Sequence, residues 1–235
     1  MTDPTPGNIL VVLAHPDDPE FFCGGSVARW TAGGARVTYC LLTRGDKGSD
    51  DPATDPDELA RTREGEQRNA AAILGVAEVL FLHHQDGTLQ PNLELRKDIV
   101  RVIRQVKPDR VVTSGVEVLS DSSINHPDHR AGGQATLDAI YPASGSGMYF
   151  PELLRQEGLA PHKVNEVYVA LAKDSNLTID VTEYLPKKIA ALLEHKSQIR
   201  EPEKLGDRMR EWMRDPQSPP ELPRYIEQFV RVTLT

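Results

Sequence analysis

Two short clusters of histidine and aspartate residues supply the residue types in this sequence that are best suited to chemistry. The first, His-Pro-Asp-Asp at 15–18, directly follows an apolar stretch at 9–13, and the second, Asn-His-Pro-Asp-His-Arg at 125–130, comes much later in the chain. Imidazole and carboxylate groups together bind zinc-type cations. A carboxylate beyond those that the metal needs can act as a base. The two clusters therefore indicate metal-assisted hydrolysis.

Each cluster taken alone also has an ordinary structural explanation. Asp17 or Asp18 could cap a following helix, because aspartate is favoured at the N-cap and an acid stabilises a helix N-terminus. His126-Pro127 could simply begin a helix, because proline is favoured at the first helical position. Capping accounts for one acid, however, and not for two adjacent acids beside a histidine. Two such clusters in one chain favour the metal hypothesis.

Three of these side chains are the predicted metal ligands. His15 and Asp18 lie three positions apart after a strand, so a turn there can aim both at one point. His129 would arrive from the end of another strand, in the first turn of a helix. Three protein ligands leave a fourth tetrahedral position for water, which is typical of a catalytic zinc site, and Fe²⁺ accepts the same donors. The alternative at this point is a structural site with four protein ligands, in which Cys23 is the fourth.

The remaining polar residues of the clusters have predicted catalytic roles. Asp17 is adjacent to a ligand but is not needed by the metal, so it is the predicted general base that deprotonates a water molecule. His126, as an imidazolium, is the predicted donor to the oxyanion of the tetrahedral intermediate. Asp128 would cap the helix or accept a hydrogen bond from His126 or His129.

Strands that alternate with helices must position these clusters. A β-α-β order produces parallel strands joined by right-handed crossovers, so we expect an α/β, Rossmann-like, mostly parallel sheet with helices on both faces. Open sheets of this kind bind ligands at the carboxyl ends of their strands, where both clusters fall. The predicted strands are 8–13, 36–42, 78–82, 109–113 and 165–171, and the predicted helices are 24–32, 56–74, 92–106 and 127–140.

The last third of the chain is less regular. A sixth strand is expected at 176–181 and a helix at about 183–198, while the proline-rich segment 199–226 predicts a peripheral helix and an irregular arm. The alternating pattern at 229–234 predicts an added edge strand. We therefore expect one domain over 1–235, with a core at about 8–198 and a small C-terminal extension at 199–235.

Composition excludes several classes of protein. The 235-residue chain has 27 Lys and Arg against 35 Asp and Glu, a net charge of −8, so it lacks the basic face that nucleic-acid binding needs. Its two cysteines form no disulfide framework. The sequence shows neither a signal peptide nor an apolar stretch near the roughly 20 residues of a membrane span. A cytoplasmic protein with no nucleic-acid or membrane partner is expected.

A dinucleotide-binding function does not follow from the Rossmann-like order. The first strand-to-helix turn of such enzymes carries Gly-x-Gly-x-x-Gly, which lets the backbone approach a pyrophosphate. In this chain His15, Asp17 and Asp18 occupy that turn, and their carboxylates would repel phosphate. The turn therefore favours a metal over a nucleotide.

The two histidine motifs together resemble those of the PIG-L/LmbE-like zinc-dependent N-deacetylases. The similarity extends over about residues 8–200, and one departure is Pro19, where the family commonly has Glu directly after the paired aspartates. The other segments that carry the resemblance are Cys23-Gly24-Gly25, Leu42-Thr43-Arg44-Gly45, Arg63-Glu64-Gly65-Glu66, Asp86-Gly87-Thr88-Leu89 and His195-Lys196-Ser197-Gln198.

The resemblance implies a zinc-dependent hydrolase that removes an acetyl group from an N-acetylglucosamine-type sugar or glycoconjugate. It also implies the base role for Asp17, substrate binding by Arg63 and self-association into a homo-oligomer. An exposed Arg63 paired with Glu64 or Glu66 is the competing interpretation. Two alternatives stay open for the function: an amidase that cleaves larger acyl groups from thiol or sugar conjugates, and a non-catalytic metal- or sugar-binding protein.

Overall fold

The sheet has seven strands, of which five consecutive ones pair in parallel. The computed structural model describes residues 7–118 and 124–234. Within them the strand order is β3-β2-β1-β4-β5-β7-β6; β7 is antiparallel to both of its neighbours. The strands are β1 (Asn8–Leu13), β2 (Arg36–Thr43), β3 (Glu78–His84), β4 (Arg110–Ser114), β5 (Glu166–Ala170), β6 (Leu177–Asp180) and β7 (Ile226–Thr233).

Helices cover both faces of this sheet, which confirms the predicted α/β class. They are α1 (Asp18–Ala32), α2 (Pro56–Leu74), α3 (Leu93–Val106), α4 (Pro127–Asp138), α5 (Pro151–Glu157), α6 (Leu185–Leu192) and α7 (Pro202–Trp212). Among the described residues, no helix is both long enough and apolar enough to cross a membrane.

The central strand β1 supplies side chains to two separate apolar layers. Because successive side chains of a strand point to opposite faces, Ile9 and Val11 enter one layer while Leu10 and Val12 enter the other. The first layer packs against α1, α2 and α6, and the second packs against α3 and α4. With both faces covered, β1 is buried along nearly its whole length, and its carboxyl end opens onto the first histidine motif.

Two sequence-based expectations about the elements are wrong. Helix α1 begins at Asp18 and not at residue 24, because Pro19 starts it and Cys23 (φ −146°) only kinks it. Strand β7 is not at the edge of the sheet but lies between β5 and β6. The alternating pattern correctly indicates a strand but does not show which strands it pairs with. In the structure Phe229 of this strand is fully buried against Tyr168 of β5.

Strand β7 also stabilises α1 at its kink. The carboxylate of Glu227 accepts hydrogen bonds from the backbone N–H groups of Gly25 (2.9 Å) and Ser26 (2.7 Å), where the second segment of the helix begins. The Nζ of Lys188 lies 2.8 Å from the same carboxylate, so this buried acid has a cationic partner. A helix N-terminus favours an anion, so Glu227 acts as a cap supplied from a distant strand.

Close contact between α4 and the end of β4 positions the second histidine motif. A Cβ atom at Gly133 would lie only 2.3 Å from the backbone oxygen of Ser114, so only glycine fits without displacing the helix. The Ser114 hydroxyl donates a hydrogen bond of 2.7 Å to the backbone oxygen of His129. The two contacts together fix the first turn of α4 against the sheet.

We expect Gly133→Ala to lower the free energy of unfolding by about 1–3 kcal/mol, because the added methyl group overpacks against the backbone of β4. Gly65→Ala is the matched control, since Gly65 is also helical but a methyl group added there would meet no atom within 4 Å. That control should instead gain about 0.5–1 kcal/mol. Urea denaturation measures both, and equal stability of the two variants would contradict this account.

Candidate functional site

The structure brings all six sequence-predicted site residues to one open cleft at the carboxyl ends of β1 and β4. The cleft has a volume of about 470 Å³. Its lining consists of the predicted residues His15, Asp17, Asp18, Arg63, His126 and His129 together with Lys47, Gly48, Asp86 and Gly87.

The carboxylate of Asp18 lies between the rings of two histidines. Its Oδ1 is 3.0 Å from Nε2 of His129, and its Oδ2 is 3.3 Å from Nδ1 of His15. Oδ2 also accepts the backbone N–H of His15 at 2.8 Å. Burial alone would raise the pKa of Asp18, but the two histidines hold it far below its usual range. Asp18 therefore contacts both of the other predicted ligands, and these contacts keep the acid ionised.

The other side of the His15 ring contacts two further carboxylates. Nε2 of His15 lies 3.1 Å from Oδ1 of Asp86 and 3.3 Å from Oδ2 of Asp128. Burial lowers the pKa of His15, but Asp18, Asp128 and Asp86 together raise it to about 12. A cation bound at Nδ1 would have to displace a proton from this ring. The acceptors at Nε2 keep a proton there and so present Nδ1 to the cleft.

Two groups of donor atoms near His15 are compact enough to bind a metal. One joins His15 to His126 and His129, and the other joins it to Asp86 and Asp128. Asp128 already accepts the backbone N–H groups of Gly87 (2.6 Å) and Leu89 (3.1 Å), and all three members of the second group are buried. Asp18 belongs to neither group, although its carboxylate contacts His15 and His129 directly.

Asp17 has an unusual backbone conformation and an unusual pKa. It occupies the N-cap position of α1 at φ 86° but makes no side-chain capping bond, so capping does not account for it. Its Oδ2 lies 3.2 Å from Nη2 of Arg63. Burial raises the pKa of Asp17 to about 6, although Arg63 acts in the opposite direction. A carboxyl group with such a pKa is suited to accept a proton near neutral pH.

Arg63 is buried, so the competing interpretation of an exposed helix charge is wrong. Its guanidinium donates to the backbone oxygens of Pro16 (2.7 Å) and Gly45 (2.9 Å), besides contacting Asp17. Glu64, one of its expected partners, instead pairs with Arg44. Arg63 lines the cleft and at the same time holds the turn that carries the first motif. Its role in substrate binding stays a prediction.

His126 lies near His15 and His129, the two histidines that are predicted ligands. Its ring centroid is 4.9 Å from that of His15 and 5.3 Å from that of His129. Burial and these two neighbours lower the pKa of His126, so the expected imidazolium is not favoured. Its Nδ1 accepts the N–H of Asp128 at 3.2 Å. The neutral ring therefore carries its proton on Nε2.

Sequence reasoning misses several residues of this region. The Asp-Gly pair at 86–87 indicates only a turn, although the position of Asp86 just after β3 puts it at the same sheet edge. Asp128 contacts His15 through its side chain, and not His126 or His129 as expected. His195 has the character of a surface residue but is completely buried, with Nε2 3.1 Å from Oε2 of Glu20. The long sequence separation of that pair leaves no local signal.

A family model described as "PIG-L: GlcNAc-PI de-N-acetylase" matches residues 10–140, more than half of the chain. The chain belongs to the PIG-L family. The expected N-deacetylase class of enzyme is thereby confirmed, and the two histidine motifs both lie inside the matched region.

Individual members of the PIG-L family support this assignment. Diacetylchitobiose deacetylase of Thermococcus kodakarensis is 32% identical, over 82% of this chain and 70% of its own. A probable N-acetyl-α-D-glucosaminyl L-malate deacetylase 2 of Bacillus anthracis is 30% identical, over 82% of this chain and 81% of its own. The solved structure of N,N'-diacetylchitobiose deacetylase from Pyrococcus horikoshii has a TM-score of 0.85 at 26% identity, covering 97% of this chain and 84% of that one.

We expect Asp86→Ala to weaken zinc binding by about 10–100-fold, because the side chain that fixes the orientation of a ligand histidine is lost. Asp98→Ala is the matched control, since Asp98 contacts His84 at the same distance of 3.1 Å outside the cleft. Competition with a chromophoric chelator measures both affinities. Equal zinc affinity in the two variants would show that Asp86 does not support the metal site.

Proposed function

We propose that this protein hydrolyses the acetamide bond of an N-acetylated amino sugar. The observation that carries the proposal is Asp17, a carboxylate that pairs with Arg63 and lies beside three converging metal donors in an open cleft. The relatives are named as deacetylases of N-acetylglucosamine-type compounds, which supports this substrate class.

The donor set of the cleft fits a divalent cation. We propose Zn²⁺, with Fe²⁺ as the alternative, because two imidazoles and one carboxylate suit both metals. His15, Asp18 and His129 would hold the cation. When bound, it supplies Lewis acidity, which acidifies water and polarises a carbonyl oxygen.

The side chains around these ligands would move the protons. Asp17, whose pKa is raised by burial to about 6, would take a proton from the attacking water molecule. Arg63 would keep that carboxylate aimed into the cleft through its 3.2 Å contact. The Nε2–H of neutral His126 would donate to the carbonyl oxygen as negative charge develops on it. Asp17 would then return its proton to the leaving amine.

The surroundings of the cleft favour a small neutral sugar over a strongly anionic one. The loop at 45–56, which reaches the cleft at Lys47 and Gly48, contains four aspartates. We also propose that the whole chain works as one domain, because β7 from the C-terminal segment completes the sheet that carries the site. A cytoplasmic location is part of the same proposal. The same proposal includes self-association of the protein into a homo-oligomer and a sugar of the N-acetylglucosamine type as the substrate.

We expect Asp17→Asn to lower kcat for acetate release by at least about 10³-fold while about one zinc ion per chain stays bound, because the base is lost and the ligands are kept. The assay uses diacetylchitobiose, a GlcNAc-inositol and a GlcNAc-malate, with metal content measured on the same samples. Asp207→Asn, at an exposed position on α7, is the control and should keep native activity.

Three outcomes would contradict parts of the proposal. Native activity in Asp17→Asn would remove the base assignment. No acetate release from any of the sugars by the zinc-loaded native protein would favour a binding protein without turnover. Faster release of longer acyl groups than of acetate would favour the amidase alternative.

A further inference from the structure

A buried polar chain links Asp17 to the interior of the protein. The side chain of Gln67 accepts the backbone N–H of Asp17 with its Oε1 at 2.8 Å. Its Nε2 lies 3.1 Å and 2.9 Å from the two carboxylate oxygens of Glu20. His195 contacts the same carboxylate at 3.1 Å. Gln67, Glu20 and His195 are all fully buried, so water does not compete for these hydrogen bonds.

The order of partners fixes which end of the Gln67 amide faces Asp17. A backbone N–H can only donate a hydrogen bond, so the amide oxygen of Gln67 must face Asp17. The NH₂ group of Gln67 is thereby left to donate to the carboxylate of Glu20. The contact of His195 with Glu20 holds the carboxylate in turn, and a buried acid without such partners would be costly.

The backbone of Asp17 needs this support. A φ of 86° is uncommon for a residue other than glycine and persists only where its surroundings impose it. Gln67 holds the N–H of Asp17, while Arg63 holds the Pro16 carbonyl oxygen on the preceding side of the same residue. Arg63 and Gln67 are four positions apart on α2, so they project from one face of that helix.

We propose that Gln67, oriented by the Glu20–His195 pair, is a positioning residue that holds Asp17 in its left-handed conformation and so aims its carboxylate into the cleft. This inference rests on the proposed function, because it assigns the base role to Asp17. In this proposal Glu20 supports the turn between β1 and α1 through its hydrogen bonds with Gln67, while Pro19 lies in the first turn of α1.

The first test removes the hydrogen bonds of Gln67 but keeps its approximate volume. In Gln67→Leu we expect kcat for acetate release to fall about 30–100-fold, because a small displacement of a catalytic group has an effect of this order. KM should change less than about 3-fold and zinc should stay near one per chain. Asn69→Leu, an exposed amide on the same helix, is the control and should keep native values.

The second test exchanges the two partners. Gln67→Glu alone places two carboxylates against each other and should lower kcat to about the level of Gln67→Leu. Combined with Glu20→Gln, it restores one amide and one carboxylate in reversed order, so position 67 can again accept the N–H of Asp17 and form one hydrogen bond with position 20. We expect the double variant to recover kcat to within about 3-fold of native, which a residue with a merely space-filling role would not do.

A third measurement does not depend on turnover. Hydrogen–deuterium exchange of zinc-loaded protein should show the Asp17 amide exchanging at least about 10-fold faster in Gln67→Leu than in Asn69→Leu. If native protein releases no acetate but this difference is found, the proposed function fails and the positioning of Asp17 stands. Native kcat in Gln67→Leu, or unchanged exchange at Asp17, would overturn the inference.

Discussion

The interaction on which the rest of the site depends is that of one buried carboxylate, Asp18, with the rings of His15 and His129. An ionised acid removed from water requires partners of opposite charge or hydrogen-bond donors, and without them it would take up a proton. Each partner then needs its own support. Nε2 of His15 contacts the carboxylates of Asp86 and Asp128. The backbone oxygen of His129 accepts a hydrogen bond from Ser114 at the end of β4. The result is a set of metal donors that is held in place by the fold itself.

The sheet makes this arrangement possible by bringing distant parts of the chain to one edge. Strands β1 and β4 are neighbours and parallel, so the segments that follow them emerge side by side. Helix α2 crosses the same edge and contributes both Arg63 and Gln67. The predicted residues of the cleft thus come from the β1–α1 turn and from helices α2 and α4, and the packing of these elements sets their relative positions.

Local patterns predict the part of the site that lies directly after strands. His15 and Asp18 fall there, and His129 is found because it belongs to a second motif with the same residue types, at the start of α4. Glu20 and His195 are not predictable in the same way, because 175 positions separate them and each alone has the character of a solvent-exposed residue. The position of β7 in the sheet is missed for a related reason: pairing of strands is decided by burial on both faces, and a single alternating segment does not contain that information.

The cap that Glu227 provides for α1 has a consequence for the order of biosynthesis. The first histidine motif leaves the ribosome early, yet the second segment of the helix that follows it obtains its N-terminal cap from one of the last strands to be made. During translation the nascent chain therefore carries the complete set of metal donors before this helix can reach its final form. Completion of α1 is thereby coupled to completion of the polypeptide, because a chain that lacks β7 leaves the N–H groups of Gly25 and Ser26 without the Glu227 carboxylate.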